Sequence, residues 1–330
     1  MNRRIARSWI SRKVEKHRGE VVGLLLRRYP GYVLGDAELV VGAEIPAFAF
    51  HQVTADILTP MLEFLAANGY ATLTADEHLE RGGRIRAVNG RAAREVLLTF
   101  DDGHVSLYHV AWPVMWRLGL KAVAYIVPGR VPQPGVPGNG AIRDLCDWGE
   151  IAEMHASGEI DIQSHSQFHH SIATSDRILD FSRPRPSSFM LSDLVPLAAD
   201  GSGPPALGTP IHVWGARYAG RPAWREAPEV ERACTDEVAR NGGAAFFQRR
   251  DWRARLHAVA ARVRREGARG VYESDDERRA AILADLRGAR NAIERRLSGK
   301  TVRHFCYPWY RGSVVAARLL REAGMMTHAW

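Results

Sequence analysis

Two short runs of strand-forming residues constrain this chain most strongly, because each run ends in side chains that bind metals or move protons. One run covers residues 96–100 and the other residues 160–164. The side chains that follow these runs are Asp101, Asp102, His165 and His169. Two carboxylates at one strand end and two imidazoles at another provide what a water-activating metal centre requires. We therefore expect a metal-dependent site where these strands end.

Strand and helix patterns alternate along much of the chain. Strands are predicted at residues 46–51, 96–100, 121–127 and 160–164, and helices at residues 107–118 and 148–156. A further helix is predicted to begin at Thr59 as its N-cap, with Pro60 at the first helical position. Repeated strand–helix units favour a parallel α/β sheet or barrel.

The chain of 330 residues is predicted to contain three kinds of segment. Residues 1–45 form a basic helical N-terminal extension, and residues 46–175 and 271–330 form the barrel. Residues 176–270 lack clear periodicity, so we expect an irregular insertion, either a lid or a substrate-binding subdomain. Regular patterns return at Ser274, which opens a capping box.

Composition excludes several classes of protein. The net charge of +8 reflects an excess of arginine, but no aromatic-and-basic repeat or nucleic-acid motif accompanies it, so no nucleic-acid partner is expected. Cys146, Cys234 and Cys306 are odd in number and widely spaced, which argues against a disulfide framework or a cysteine-based zinc site.

The apolar run at residues 21–26 is too short for a transmembrane helix and is a poor signal-peptide core. We therefore expect a cytoplasmic protein. Peripheral membrane contact through the basic segment at residues 3–28 is the alternative that this N-terminus leaves open.

Asp101 and Asp102 are neighbours at a strand end, so their side chains point to opposite sides and cannot have the same role. One carboxylate can ligate a metal while the other accepts a proton. Active sites of parallel α/β folds form at the carboxyl ends of strands, where both residues lie. The alternative is an ordinary Asp-Asp-Gly turn at residues 101–103.

His165 and His169 are four residues apart, which brings both rings to one side if the segment forms a helical turn. Together with one carboxylate they supply two nitrogens and one oxygen, and they leave a coordination position open for water. This donor set is typical of a catalytic site rather than a closed structural site. The same spacing also arises by chance.

The two motifs together resemble a known family. Residues 99–103 and 165–169 resemble the first two signatures of polysaccharide deacetylases of the NodB-homology type, carbohydrate esterase family 4. Residues 305–309 are similar to the third signature in its Tyr-Pro form, and the resemblance covers residues 46–175 and 272–330. It implies a distorted (β/α) barrel of about seven parallel strands that removes N-acetyl groups from an amino-sugar glycan. Relative to the family, the chain ends early.

The resemblance also implies roles for individual residues. Asp102, His165 and His169 would hold a divalent metal ion, most often Zn²⁺. Asp101 would be the general base that deprotonates water, and the backbone N–H of Tyr307 would stabilise the oxyanion.

The sequence departs from the family pattern at two places. Cys306 stands where the third signature often has an arginine that orients the base, and Arg303 and Arg311 are the candidates to replace it. The family's general-acid histidine follows the last strands, and His328 is the only histidine near that position. His328 is therefore the candidate acid.

The aromatic residues Trp214, Tyr218 and Trp309 are candidates to stack on sugar rings, although packing within a core is an equally good account of the first two. The expected partner is an acetylated amino-sugar glycan or a lipid- or nucleotide-linked precursor. Two alternatives remain: a non-catalytic metal- or glycan-binding relative in polysaccharide assembly, and a hydrolase of small cyclic or formyl amides.

Overall fold

The computed structural model describes residues 22, 25–26, 39–134, 145–184 and 205–327. Most of the predicted basic extension lies outside the described residues, as does the candidate acid His328. The strands are β1 (Ala47–Phe50), β2 (Ala71–Thr72), β3 (Ala87–Val88), β4 (Arg91–Ala92), β5 (Glu95–Asp102), β6 (Ala122–Ile126), β7 (Ile160–Ser164), β8 (Ser171–Phe181), β9 (Pro210–Ala216), β10 (Trp224–Arg225), β11 (Val271–Tyr272), β12 (His304–Phe305) and β13 (Met326–Thr327).

A sheet of seven parallel strands organises the described part of the chain. Its order is β1-β5-β6-β7-β12-β13, with β2 beside the first residues of β5. The carboxyl ends of β5, β6 and β7 lie level, because Asp102 pairs with Ile126 and Ile126 pairs with Ser164. The predicted parallel α/β fold is confirmed, as a curled sheet whose path among the described residues runs from β1 to β13.

The described residues form eight α-helices. They are α1 (Ala55–Ala67), α2 (Ala75–Glu80), α3 (Trp112–Leu118, preceded by a π-helical turn at Leu107–Ala111), α4 (Trp148–Ser157), α5 (Pro228–Arg240), α6 (Trp252–Arg265), α7 (Asp275–Arg296) and α8 (Val314–Glu322). The predicted capping box is present at the start of α7, where the Ser274 side chain accepts a hydrogen bond from the Glu277 N–H.

The predicted start of the first helix is wrong. Its N-cap is Thr54, and Pro60 lies inside the helix rather than at its first position. Leu58 and Leu62, which are four residues apart, are both buried in the main core, so packing extends the helix one turn before the proline.

Burial on both faces explains why the sequences of β5 and β6 are nearly continuous apolar runs. In β5 the side chains from Glu95 to Asp101 are all buried, and in β6 all five are buried. Helices cover one face of these strands, and a smaller cluster that includes Leu97 and Tyr125 covers the other. Strands buried on both faces are typical of parallel sheets.

The prediction that residues 176–270 are irregular is wrong for the part that the structure describes. Two antiparallel strands, β8 and β9, are followed by α5 and α6, which share a separate apolar core around Val230, Cys234 and Leu256. The sequence analysis did not predict these two helices, because their apolar residues are small or medium in size and form only a narrow stripe among arginines and acidic residues. The role of this segment as a lid or subdomain stays a prediction.

Among the described residues, none of the helices combines the length and apolar character needed to span a membrane.

Candidate active site

The two neighbouring aspartates lie at the carboxyl end of β5 and face different surroundings. The side chain of Asp101 is 2% exposed, whereas that of Asp102 is 35% exposed. Asp102 has a φ of 67°, which is unusual for a residue with a Cβ, and Gly103 follows it in the same left-handed region. The reversal of the chain here turns the Asp102 carboxylate toward the end of β7.

The Asp102 carboxylate faces both predicted histidines. Its Oδ1 lies 3.6 Å from Nε2 of His165 and 3.6 Å from Nε2 of His169. The two imidazole rings are 4.9 Å apart. They do not share a helical turn, as the spacing had suggested: the segment is a loop in which Ser166 and His169 have positive φ angles.

The donor atoms fit a divalent cation. Nδ1 of His165 lies 3.0 Å from the carbonyl oxygen of Cys306, which can only accept, so Nδ1 donates this bond and Nε2 is the nitrogen that faces Asp102. Burial and the neighbouring His165 hold the pKa of His169 well below its usual range, so this imidazole is neutral. Neutral imidazoles and an ionised carboxylate are the form in which these groups bind metals.

In the described part of the chain, this triad is one of two groups whose donor atoms lie close enough to hold an ion. The second consists of Asp101, His165 and Cys306, and all three are buried. The two groups share His165, and its Nε2 is the atom that lies near Asp102.

Hydrogen bonds from three backbone N–H groups fix the loop that carries His169. The N–H of Gly129, just after β6, donates to the carbonyl of Gln167 at 2.8 Å. A Cβ at Gly129 would lie 2.4 Å from that oxygen, so only glycine fits. The His169 N–H donates to Oγ of Ser166, and the Gln167 N–H donates to Asp285 of α7.

The prediction that Tyr218 stacks on a sugar ring is wrong, because this side chain is buried and supports the loop. Its hydroxyl donates to the same Asp285 carboxylate that receives the Gln167 N–H. Burial raises the pKa of Asp285, and the two donors oppose that rise. Sequence patterns missed Asp285, since it lies on a helix more than a hundred residues from the loop.

Asp101 is surrounded by neutral donors rather than by an arginine. Its Oδ2 accepts a hydrogen bond from the Tyr310 hydroxyl at 3.1 Å, and the Cys306 thiol lies 3.7 Å away. Its Oδ1 is buried and lacks a partner among the described residues. Of the arginines predicted as replacements, Arg303 is exposed and lies near Asp76, and Arg311 has no bond to Asp101 in the described part of the chain.

His51 is a residue of this site that sequence reasoning missed. It follows the last residue of β1, and because Phe50 pairs with Phe100, His51 comes level with Asp101. Its Nε2 lies 4.0 Å from Asp101 Oδ2, and its side chain is 53% exposed. The available signal was its position: an imidazole at the last position of a predicted strand, at the same sheet edge as the other site residues.

The third motif forms one wall of the site. The indole of Trp309 packs against the imidazole of His169, with ring centroids 4.4 Å apart. The Tyr307 N–H has no acceptor among the described residues, so it is available to a ligand. Trp214 lies on β9 opposite Ala173, and no described hydrogen bond or ring contact joins it to the site.

Backbone strain is concentrated at this site. Six described residues other than glycine have positive φ angles, and five of them are Asp102, Ser166, His169, Trp309 and Tyr310. The sixth, Asn89, lies in the turn between β3 and β4. Such conformations are unfavourable for residues with a Cβ and persist where the surrounding structure enforces them, most often at functional sites.

Comparison with known proteins agrees with this site. Residues 89–181, which contain both aspartates and both histidines, match the family model for polysaccharide deacetylases. The chain is 24% identical over 150 residues to the putative polysaccharide deacetylase YxkH of Bacillus subtilis (strain 168), covering 42% of this chain and 52% of that protein. The predicted resemblance to polysaccharide deacetylases is confirmed over these residues. The chain spans about half the length of this curated relative.

Two solved structures share the fold. A de-N-acetylase from Aggregatibacter actinomycetemcomitans superposes with a TM-score of 0.50 at 18% identity, covering 86% of each chain. The deacetylase domain of BpsB from Bordetella bronchiseptica gives a TM-score of 0.50 at 18% identity, covering 88% of this chain and 89% of that one. At this level of identity, the likeness concerns the architecture of the chain.

Proposed function

We propose that this protein is a metal-dependent hydrolase that removes N-acetyl groups from an amino-sugar glycan or a lipid- or nucleotide-linked precursor. The observation that carries the proposal is the placement of a three-donor cluster beside a buried carboxylate. Asp102, His165 and His169 converge at one point, and the unpaired Oδ1 of Asp101 lies on the adjacent residue.

Asp102 Oδ1, His165 Nε2 and His169 Nε2 are the atoms that would hold the ion, and this nitrogen-rich donor set suits Zn²⁺. A divalent ion in this position supplies Lewis acidity, which stabilises negative charge developing on the acetyl carbonyl oxygen. The Tyr307 N–H is the proposed protein donor to the same oxygen, since it is not used within the described structure.

Proton transfer is assigned to two residues at the carboxyl ends of the paired strands β1 and β5. Asp101 Oδ1 accepts a proton from the attacking water, because Oδ2 is already engaged by Tyr310. His51 Nε2 donates a proton to the leaving amine nitrogen, because it is the exposed imidazole beside Asp101. This proposal places the acid near the start of the chain, in place of His328.

A non-catalytic glycan-binding relative is the second candidate, and Asp101 distinguishes the two. A buried carboxylate with an unpaired oxygen is costly to fold. A module that only binds metal through Asp102 and the histidines gains nothing from that cost, whereas a hydrolase uses it as the base.

The test is acetate release from N-acetylglucosamine oligomers of several linkages and from UDP-N-acetylglucosamine, together with metal content per chain. We expect release that is lost after chelation and restored by Zn²⁺. Asp101→Asn should lower kcat at least about 100-fold and leave the metal bound, because it removes a proton acceptor but no ligand. Asp102→Asn should lose metal as well. Full activity of Asp101→Asn would falsify the assignment of the base.

A further inference from the structure

The base of the proposed reaction is oriented by a residue that no motif identifies. Asp101 Oδ2 receives the Tyr310 hydroxyl at 3.1 Å and has the Cys306 thiol at 3.7 Å. A thiol is a weak donor, so the hydroxyl is the stronger of these two contacts. Both contacts fall on Oδ2, and Oδ1 is left without a partner in the described structure.

The backbone is distorted where it presents this hydroxyl. Trp309 and Tyr310 have φ angles of 55° and 54° within the short 3₁₀ turn Pro308–Tyr310. Two consecutive left-handed residues with large side chains are unfavourable, and glycine would adopt this conformation without penalty. The turn seats the indole of Trp309 on His169 and the hydroxyl of Tyr310 on Asp101.

Packing alone does not explain the side chain of Tyr310. The residue is 50% exposed, so it contributes less to the core than a buried aromatic residue would. Burial of the hydroxyl and its contact with Asp101 raise the pKa of Tyr310, so the hydroxyl stays protonated and remains a donor. The position therefore combines a strained backbone, a half-exposed ring and one directed hydrogen bond.

We propose that Tyr310 is a positioning residue whose hydroxyl fixes Oδ2 of Asp101 and thereby directs Oδ1 toward the attacking water. This inference rests on the proposed hydrolase function. Tyr310 provides the orientation that a paired arginine would otherwise give, but without adding a positive charge beside the base.

The first variant is Tyr310→Phe, which removes only the hydroxyl. Loss of a hydrogen bond to a charged group predicts a fall in kcat of about 10-fold to about 100-fold, while KM for the best substrate of the panel changes less than about two-fold. Metal content and melting temperature should match the wild type. The control is Tyr272→Phe, since Tyr272 is also 50% exposed and lies on β11; it should have wild-type kcat.

A second variant separates activity from folding. Tyr310→Gly relieves the positive φ, so its melting temperature should not fall, while kcat should drop at least as far as in Tyr310→Phe. In an Asp101→Asn background, Tyr310→Phe should cause no further loss, because it acts through Asp101.

Three results would overturn the inference: wild-type kcat in Tyr310→Phe, a loss that appears in KM, or a loss of bound metal. The inference would also be overturned if Tyr310→Phe lowered kcat in the Asp101→Asn background by the same factor as in the wild type. If instead the wild-type protein with Zn²⁺ releases no acetate from any substrate, the proposed function itself fails, and the role of Tyr310 fails with it.

Discussion

Two regions of this molecule differ in whether their buried polar atoms have hydrogen-bond partners and in how strained their backbone is. We call the residues Asp101, Asp102, His165, His169 and Tyr310 the strand-end site, and β8, β9, α5 and α6 the two-helix unit. In the strand-end site, Asp101 Oδ1 and His169 Nδ1 are buried without partners among the described residues. Three of its five residues, Asp102, His169 and Tyr310, have positive φ angles, and so does Ser166 in the loop that carries His169.

Beside the two-helix unit, just before α5, both oxygens of the buried Glu226 carboxylate have donors, and Oε1 accepts from the Ala227 N–H. Glu226 accepts from His212 at 3.0 Å and from Arg264. Burial raises the pKa of Glu226, but these two bonds outweigh it and lower the pKa to about 2. Within the described residues of this unit, positive φ angles occur only at glycines. The contrast teaches that an unpaired carboxylate oxygen beside strained backbone marks the place where a ligand is expected.

The largest expected effect separates two buried histidines, each beside a carboxylate. His165→Ala should lose both bound metal and acetate release, because it removes a ligand. His212→Ala should keep both and lower the free energy of unfolding by about 1–3 kcal/mol, because it leaves Glu226 with one fewer donor. Metal analysis and denaturant unfolding measure the two effects. Tight metal binding by His165→Ala would remove the triad as the metal site.

The next effect concerns two glycines that touch the same loop. Gly129→Ala should destabilise the protein by about 1–3 kcal/mol and weaken metal binding, because its Cβ would lie 2.4 Å from the Gln167 carbonyl. Gly288→Ala is the control: its Cβ would make only ordinary contact with the Gln167 side chain, and alanine suits the interior of α7. The same melting temperature and metal affinity in Gly129→Ala as in the wild type would contradict this prediction.

A smaller effect is expected where the loop rests on α7. Tyr218→Phe removes one donor from Asp285 and should weaken metal affinity about ten-fold, through the Gln167 N–H that shares this carboxylate. Tyr108→Phe also removes a hydroxyl from a carboxylate, that of Glu153, but on the surface and away from the loop. Titration with Zn²⁺ should show a change only in the first variant; equal affinities would mean that Asp285 does not support the site.

The smallest effect lies on the outside of the two-helix unit. Arg262 pairs with Glu266 one turn later on α6, and both side chains are more than half exposed. Arg262→Ala should change the free energy of unfolding by no more than about 0.5 kcal/mol and leave acetate release unchanged, because solvent screens such pairs. A large loss of activity here would show that the two-helix unit contributes to substrate turnover.

The sequence predicted correctly that Asp102, His165 and His169 lie close together, because Asp102 and His165 stand at the ends of strands whose apolar runs are unmistakable. It did not predict His51, Tyr310 or Asp285 as parts of the site. Each reaches the strand ends through sheet pairing or helix packing rather than through a local pattern. The family pattern predicted an arginine beside Asp101, whereas in the structure the hydroxyl of Tyr310 donates to this carboxylate.

The sequence predicted the elements whose apolar residues follow a clear period, and it missed those in which charged residues outnumber the apolar ones. The strands at β5, β6 and β7 were predicted within two residues at each end. Helix α6 was missed because Leu256, Ala260 and Val263 form a stripe only one residue wide among many arginines. The first helix was mispredicted because a proline was given more weight than the burial of Leu58.

The hydrogen bond from His165 to the Cys306 carbonyl has a consequence for the order of biosynthesis. A ribosome makes Asp102, His165 and His169 long before it makes Cys306, so the nascent chain carries all three ligand side chains without the carbonyl that selects the tautomer of one of them. Only when β12 has joined β7 does the imidazole acquire its fixed proton. For the proposed metal site, binding with the correct geometry would therefore follow a late event in translation, and an incomplete chain that stops before residue 306 would have the three donor side chains but not the finished site.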